Sequence, residues 1–136
     1  DDRAMLLVGL KWAGVSAEKV REAAKGLLAS QRADGGWAGN LHLESDAYST
    51  GESLYALEES GALNAMDPAY RSGAAFLLKT QRPDGSWHVK SRAVKFQPYF
   101  QSGFPYDHDQ WVSAAGTAWA TVALANGIEP AERAAR

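Results

Sequence analysis

The chain has no cysteine. That excludes disulfides, thiolate zinc sites and cysteine nucleophiles together. It leaves the compartment open, because a repeat fold needs no covalent staples. There is also no surplus of one charge: 14 basic residues against 16 acidic ones leave a net charge of −2. No basic stripe is present to follow a nucleic acid, so none is expected as a partner, and no acidic tail holds a segment disordered. Long hydrophobic runs are missing too. The longest apolar-leaning stretch, residues 114–125, is about one helix long and contains two threonines and a glycine. A bilayer span needs about 20 apolar residues. No transmembrane segment is expected, and the chain reads as soluble or membrane-peripheral. No leader pattern is visible. The chain opens Asp1-Asp2-Arg3 without methionine and reads as a piece of a longer protein. Strand-like alternation is nearly absent; residues 89–94 are the best candidate, as a short hairpin arm.

What is present is a repeat. Gln31-Arg32-Ala33-Asp34-Gly35-Gly36-Trp37 returns fifty positions later as Gln81-Arg82-Pro83-Asp84-Gly85-Ser86-Trp87. The flanks agree as well, Ala24 to Leu28 against Ala74 to Leu78. A fixed period of this length marks a repeat architecture. With 136 residues, 46% of them hydrophobic, the chain suits one domain with a packed core.

Five helices can be drawn. The first covers about 3–13, with Leu6, Leu7 and Leu10 on one face, and stops at Gly14. The second covers about 17–30 behind Ser16, with Val20, Ala24, Leu27 and Leu28 at helical spacing. The third covers about 48–60 and closes at Gly61. Asp67-Pro68 opens the fourth, a capping side chain followed by proline at the first helical position. It carries Tyr70, Ala74, Leu77 and Leu78. The fifth covers about 113–126, with Trp119, Val122 and Ala123 facing in, and ends at Gly127. The odd-numbered helices resemble one another, and each even-numbered helix leads into a Gln/Trp loop.

Spacing exposes one irregularity. Gly14 to Gly61 is 47 residues, whereas Gly61 to Gly127 is 66. The surplus falls in an insertion at about 88–111, which holds Phe96, Tyr99, Phe100, Phe104, Tyr106 and Trp111. Pro98, Gly103 and Pro105 argue against one regular helix there. Long connections of this kind are usually functional or disordered, and six aromatics speak against disorder.

The Q-x-x-D-G-[G/S]-W signature resembles the QW repeat of the prenyltransferase and squalene oxidase repeat family, which includes the squalene-hopene cyclases. The resemblance covers nearly the whole chain, as about two and a half repeats. It implies an all-α fold of helical hairpins forming part of an (α/α) toroid, residues 1–136 being one partial domain. Helices one, three and five would be inner, and two and four outer. The physical reading beside it is a structural clamp. Asp34-Gly35 and Asp84-Gly85 are turn dipeptides. Gln31 and Gln81 can bond orphan backbone groups at a neighbouring helix end. Trp37 and Trp87 can cover the turn.

The resemblance implies cyclase chemistry only if an acid is present. Class II cyclases carry D-x-D-D-T-A ahead of an inner helix. Thr117-Ala118 resembles its tail, but the acid slots hold Ser113, Ala114, Ala115 and Gly116. Asp107 and Asp109 do not fit the spacing. The zinc ligands of the protein prenyltransferases include a cysteine, which this chain lacks, and no aspartate-rich magnesium cluster is present. No cofactor is expected.

Three groups are candidate ligand sites, each with a plainer alternative. His42, Glu44 and Asp46 alternate, so in extended chain they point one way, toward a metal or polar ligand; alternatively they form a solvated loop in which Asp46 caps helix three. Asp107, His108 and Asp109, beside Trp111, can orient an imidazole or bind a metal, or simply form the turn before helix five. Phe96, Phe100 and Tyr106 can face an apolar or cationic ligand, or pack the insertion down. Lys90, Arg92 and Lys95 read as a solvated basic arm. Three functions stay open: part of a cyclase-like protein enclosing an apolar, isoprenoid-type ligand; a non-catalytic toroid module binding protein or glycan; and a structural segment that pairs with another copy or with the rest of the toroid. Exposed helix faces at the ends of so short an array favour self-association.

Overall fold

The computed structural model describes residues 2–94 and 100–128. Those residues form five α-helices and no strand: α1 Asp2–Trp12, α2 Ala17–Leu28, α3 Ala47–Glu59, α4 Pro68–Thr80 and α5 Gln110–Asn126. A single 3-10 turn, Asp107–Asp109, runs into α5. The all-α reading therefore holds, and the hairpin arm expected at 89–94 is irregular chain instead. Its first residue, Val89, is buried, and its backbone is claimed by a helix rather than by a second strand.

The helices end for identifiable reasons. Gly14 and Gly61 take φ of 68° and 78°, the left-handed conformation that costs glycine little. Asp46 caps α3, its carboxylate accepting from the Ser49 N–H at 2.7 Å. Ser16 and Asp67 stand at the starts of α2 and α4 but make no side-chain cap. Asp67 turns back and accepts from the Asn64 N–H instead. The fifth helix begins three residues earlier than expected, because the 3-10 turn feeds straight into it.

Packing sorts the helices into two layers. The odd-numbered helices touch one another in the order α1, α3, α5, while α2 packs chiefly on α1 and α4 chiefly on α3. As the central member, α3 is buried over most of its length, including Thr50, Ser53, Leu54 and Leu57. Its crossing with α5 is unusually close. A Cβ on Gly51 would stand 2.5 Å from the Trp119 carbonyl carbon, and one on Gly116 would stand 3.3 Å from the Tyr48 nitrogen of α3 and 2.7 Å from Val89 Cγ2 of the arm. Small residues let the two backbones approach where larger ones would hold them apart.

This closeness moves the buried stripe of α5. Ser113, Gly116, Ala120 and Ala123 face the core, whereas Val122 is exposed and Trp119 only half-buried. Small residues, not the large apolar ones expected, are inside. Likewise Leu7 is buried in α1 while Leu6 is exposed, and Leu77 is buried in α4 while Leu78 is exposed. Gly127 ends α5 with φ −78°, so it is not a left-handed stop. Space requires it: a Cβ there would collide with the Tyr70 hydroxyl. That hydroxyl donates to the Ala123 carbonyl at 2.6 Å. Burial, with the Glu58 carboxylate nearby, pushes the Tyr70 phenol up to about 12. Burial also pushes the Glu58 carboxyl above its ordinary value, against a hydrogen bond to Asn126.

Candidate functional site

Both Gln/Trp loops fold into the same joint. In the first, the Arg32 N–H donates to the Gly36 carbonyl and the Gly36 N–H to Asp34 Oδ1. In the second, the Arg82 N–H donates to the Ser86 carbonyl and the Ser86 N–H to Asp84 Oδ1. The Ser86 hydroxyl and N–H hold the Asp84 carboxyl below the usual carboxylate range. Gly35 and Gly85 take φ of 89° and 84°.

Each tryptophan then reaches back. Trp37 Nε1 donates to the Leu27 carbonyl at 2.9 Å, and Trp87 Nε1 to the Leu77 carbonyl at 2.8 Å. These carbonyls lie in the last turns of α2 and α4, where a helix needs outside donors. The indole therefore does the work expected of the glutamine. Gln31 spends its amide on the Gly35 carbonyl and on the Ala69 carbonyl in the first turn of α4. Gln81 matches only the first of these, donating to the Gly85 carbonyl.

A third element of the joint is a threonine on the following odd helix. The Trp37 N–H donates to Thr50 Oγ1 at 2.9 Å, and the Trp87 N–H to Thr117 Oγ1 at 3.0 Å. Thr117, which resembles the tail of an acid motif, is thus a clasp for the tryptophan backbone. Ser113, in the first acid slot, is fully buried and clasps Val89 through both its N–H and its carbonyl. Gly116, in the last, is taken up by the α3–α5 crossing. None of these side chains is a strong proton donor.

Between the joints lies a cavity of about 530 Å³. Residues 42–47, the C-terminal half of α4 and residues 87–92 line it. His42, Glu44 and Asp46 all line it, but so do Leu43, Ser45 and Ala47, and residues 41–43 turn rather than run extended, so the expected one-sided strip does not form; Lys90 and Arg92 of the basic arm line the cavity too. Arg92 is not simply solvated: its Nη2 lies 2.8 Å from Asp46 Oδ2. Asp46 thus caps α3 with one oxygen and holds the arm with the other. Lys95 lies outside the described residues.

His88 enters the same cavity, and sequence reasoning missed it. Its Nε2 lies 2.8 Å from Asp109 Oδ2, and its ring stacks on Tyr106 with centroids 4.7 Å apart. The other oxygen of Asp109 accepts from the Ser91 N–H. Asp109 thus ties the 3-10 turn to the arm rather than capping α5, and the imidazole it holds is His88, not the His108 of the expected Asp-His-Asp cluster. Asp107 and His108 are exposed and do not line the cavity. Tyr106 and Asp107 hold φ of 84° and 43°, a conformation unusual for residues with a Cβ. The Tyr106 hydroxyl meets the Ser86 hydroxyl at 2.5 Å, which joins this turn to the second Gln/Trp loop. The signal available for His88 was its departure from the repeat: the first copy has Ala38 in the equivalent place.

The remaining candidates disperse. Phe100 is 84% exposed and away from the cavity; its carbonyl accepts from Trp111 Nε1 at 3.0 Å. Trp111 is itself exposed. Phe96 lies outside the described residues. Among the described residues, no three His, Asp or Glu side chains converge as a metal site, and no helix is long and apolar enough to cross a membrane. Compared with family profiles, curated proteins and solved structures, the chain finds no match.

Proposed function

We propose that the chain is a segment of a QW-repeat protein of the squalene-cyclase-like kind. Its hairpins would curve as part of an (α/α) toroid, with the odd-numbered helices inside. Its role would be to enclose an apolar ligand without transforming it in this segment. Two identical joints, each clasped by a threonine of the next odd helix, support the repeat reading. The second joint also presents Gln81 and the exposed Leu78 where the first is covered by α4, which suits a further hairpin stacking there. In the slots a cyclase acid would fill stand Ser113, Ala114, Ala115 and Gly116, and the structure employs Ser113 and Gly116 for packing.

The observation that carries the ligand reading is an aromatic face on the odd layer. Helical phase sets Tyr55 and Glu59 opposite the side of α3 that buries Thr50, Leu54 and Leu57. Tyr55 packs on Trp119 with centroids 5.4 Å apart, and Trp12 donates to Glu59 at 2.9 Å. All three rings keep exposed surface, and such faces suit apolar or cationic groups. Thermal melting with squalene and farnesyl analogues is the test. At least one is expected to raise the midpoint, and Trp119→Ala to abolish the rise. Melting curves that ignore the whole panel would remove the ligand reading.

A further inference from the structure

The cavity between the joints has a different chemistry from the aromatic face, and we propose that it binds a neutral saccharide. Its charged lining is balanced. Lys90 and Arg92 stand against Glu44 and Asp46. An ionic ligand entering such a site gains no net attraction to set against its lost hydration. A hydroxyl group, in contrast, both donates and accepts, and satisfies either kind of partner.

The polar groups are also divided between fixed and available. Asp46 is committed to the Ser49 N–H and to Arg92 Nη2, which holds the guanidinium in place while leaving it other donors. Asp109 and Tyr106 hold the His88 ring from two sides. Glu44, His42 and Lys90 are exposed and, among the described residues, their side chains have no hydrogen-bonded or ionic partner. Apolar patches from Phe76 and Val89 alternate with these groups. Sugars present the same mixture, with hydroxyl edges and C–H faces. The volume of about 530 Å³ lies within the range in which small-molecule sites are found.

The site gathers residues 42–47, after the first Gln/Trp loop, and residues 87–92, at and after the end of the second. His42 and Arg92 occupy equivalent places in the two copies, yet only the second copy carries the cation that crosses to Asp46. The Arg92–Asp46 contact at the cavity thus depends on a residue in which the two copies differ.

Calorimetric titration tests the proposal, with cellobiose, maltose and diacetylchitobiose as neutral probes and glucuronate and inorganic phosphate as anionic ones. At least one neutral disaccharide is expected to saturate, with the anions binding more weakly. Glu44→Gln and Lys90→Gln each remove one charged partner and are expected to weaken that binding about tenfold. Both positions are exposed, so thermal melts of the variants should match the parent and exclude a folding defect. No saturation by any neutral probe overturns the proposal. So does preference for phosphate or glucuronate, or unchanged affinity in both variants.

Discussion

The two Gln/Trp joints are the same machine in two surroundings. The first is covered: its Gln31 amide reaches the Ala69 carbonyl, and Gly35 lies so close to Ser72 that a Cβ would stand 2.5 Å from the Ser72 carbonyl oxygen. The second is open. Among the described residues, Gln81 bonds within its own loop alone, and nothing stands within 4 Å of a Cβ on Gly85. Inside each loop the bonds agree closely. Each joint, with its tryptophan on the preceding helix and its threonine on the following odd helix, is thus formed whether or not a further helix covers it. Local geometry does not depend on the neighbour.

The largest effect tests the shared part. Trp37→Ala and Trp87→Ala each delete a buried indole, and each should cost about 3–5 kcal/mol in chemical denaturation. A Trp87→Ala variant as stable as the parent would show that the second joint does not resemble the first in solution.

The glycine pair separates conformation from contact. Gly85→Ala meets only the left-handed backbone and should lose about 1–2 kcal/mol. Gly35→Ala meets the same backbone and also the Ser72 main chain, for a loss of about 2–5 kcal/mol. Equal losses would mean that α4 does not press on the first loop as described.

The smallest effect belongs to the glutamines. Gln31→Ala should cost about 1–3 kcal/mol, and Gln81→Ala about 0.5–1 kcal/mol, because only the former ties two elements together. If a further hairpin stacks on the second joint in a longer protein, the Gln81→Ala loss measured there should rise toward that of Gln31→Ala. Denaturation midpoints of both variants, in the short and extended proteins, settle the point.

Much of this was legible beforehand. Repeat spacing, glycine stops and helical periodicity located all five helices, because those signals are local. The clamp role of the signature was also readable, though not its division of labour. Gln31 and Trp37 each carry an N–H donor, and nothing in the order of residues says which reaches the helix end. Burial in α5 was misread for a related reason. Hydrophobicity points to Trp119 and Val122, yet a crossing as tight as that of Gly51 admits only Gly116 and Ala120. At the cavity, the polar residues His42, Glu44 and Asp46 are visible in the sequence, but the turn at 41–43 that brings all of 42–47 to the lining is not. Nor are the partners His88 and Arg92, since meeting them depends on how two hairpins stack.

The described parts of the long insertion are anchored at several points, Arg92 by Asp46, Ser102 by Gln110 and Tyr106 by Ser86 among them. On one side Val89 and Ser91 are held by Ser113 and Asp109; on the other Trp111 is held by the Phe100 carbonyl. Most of these ties run to α5, to the turn before it or to the second loop, so the described insertion is bound to the same elements that set the register of α3 and α5. Because Ser113 and Gln110, which hold it, are themselves buried core residues, a change in the insertion is felt directly by the packing of α5.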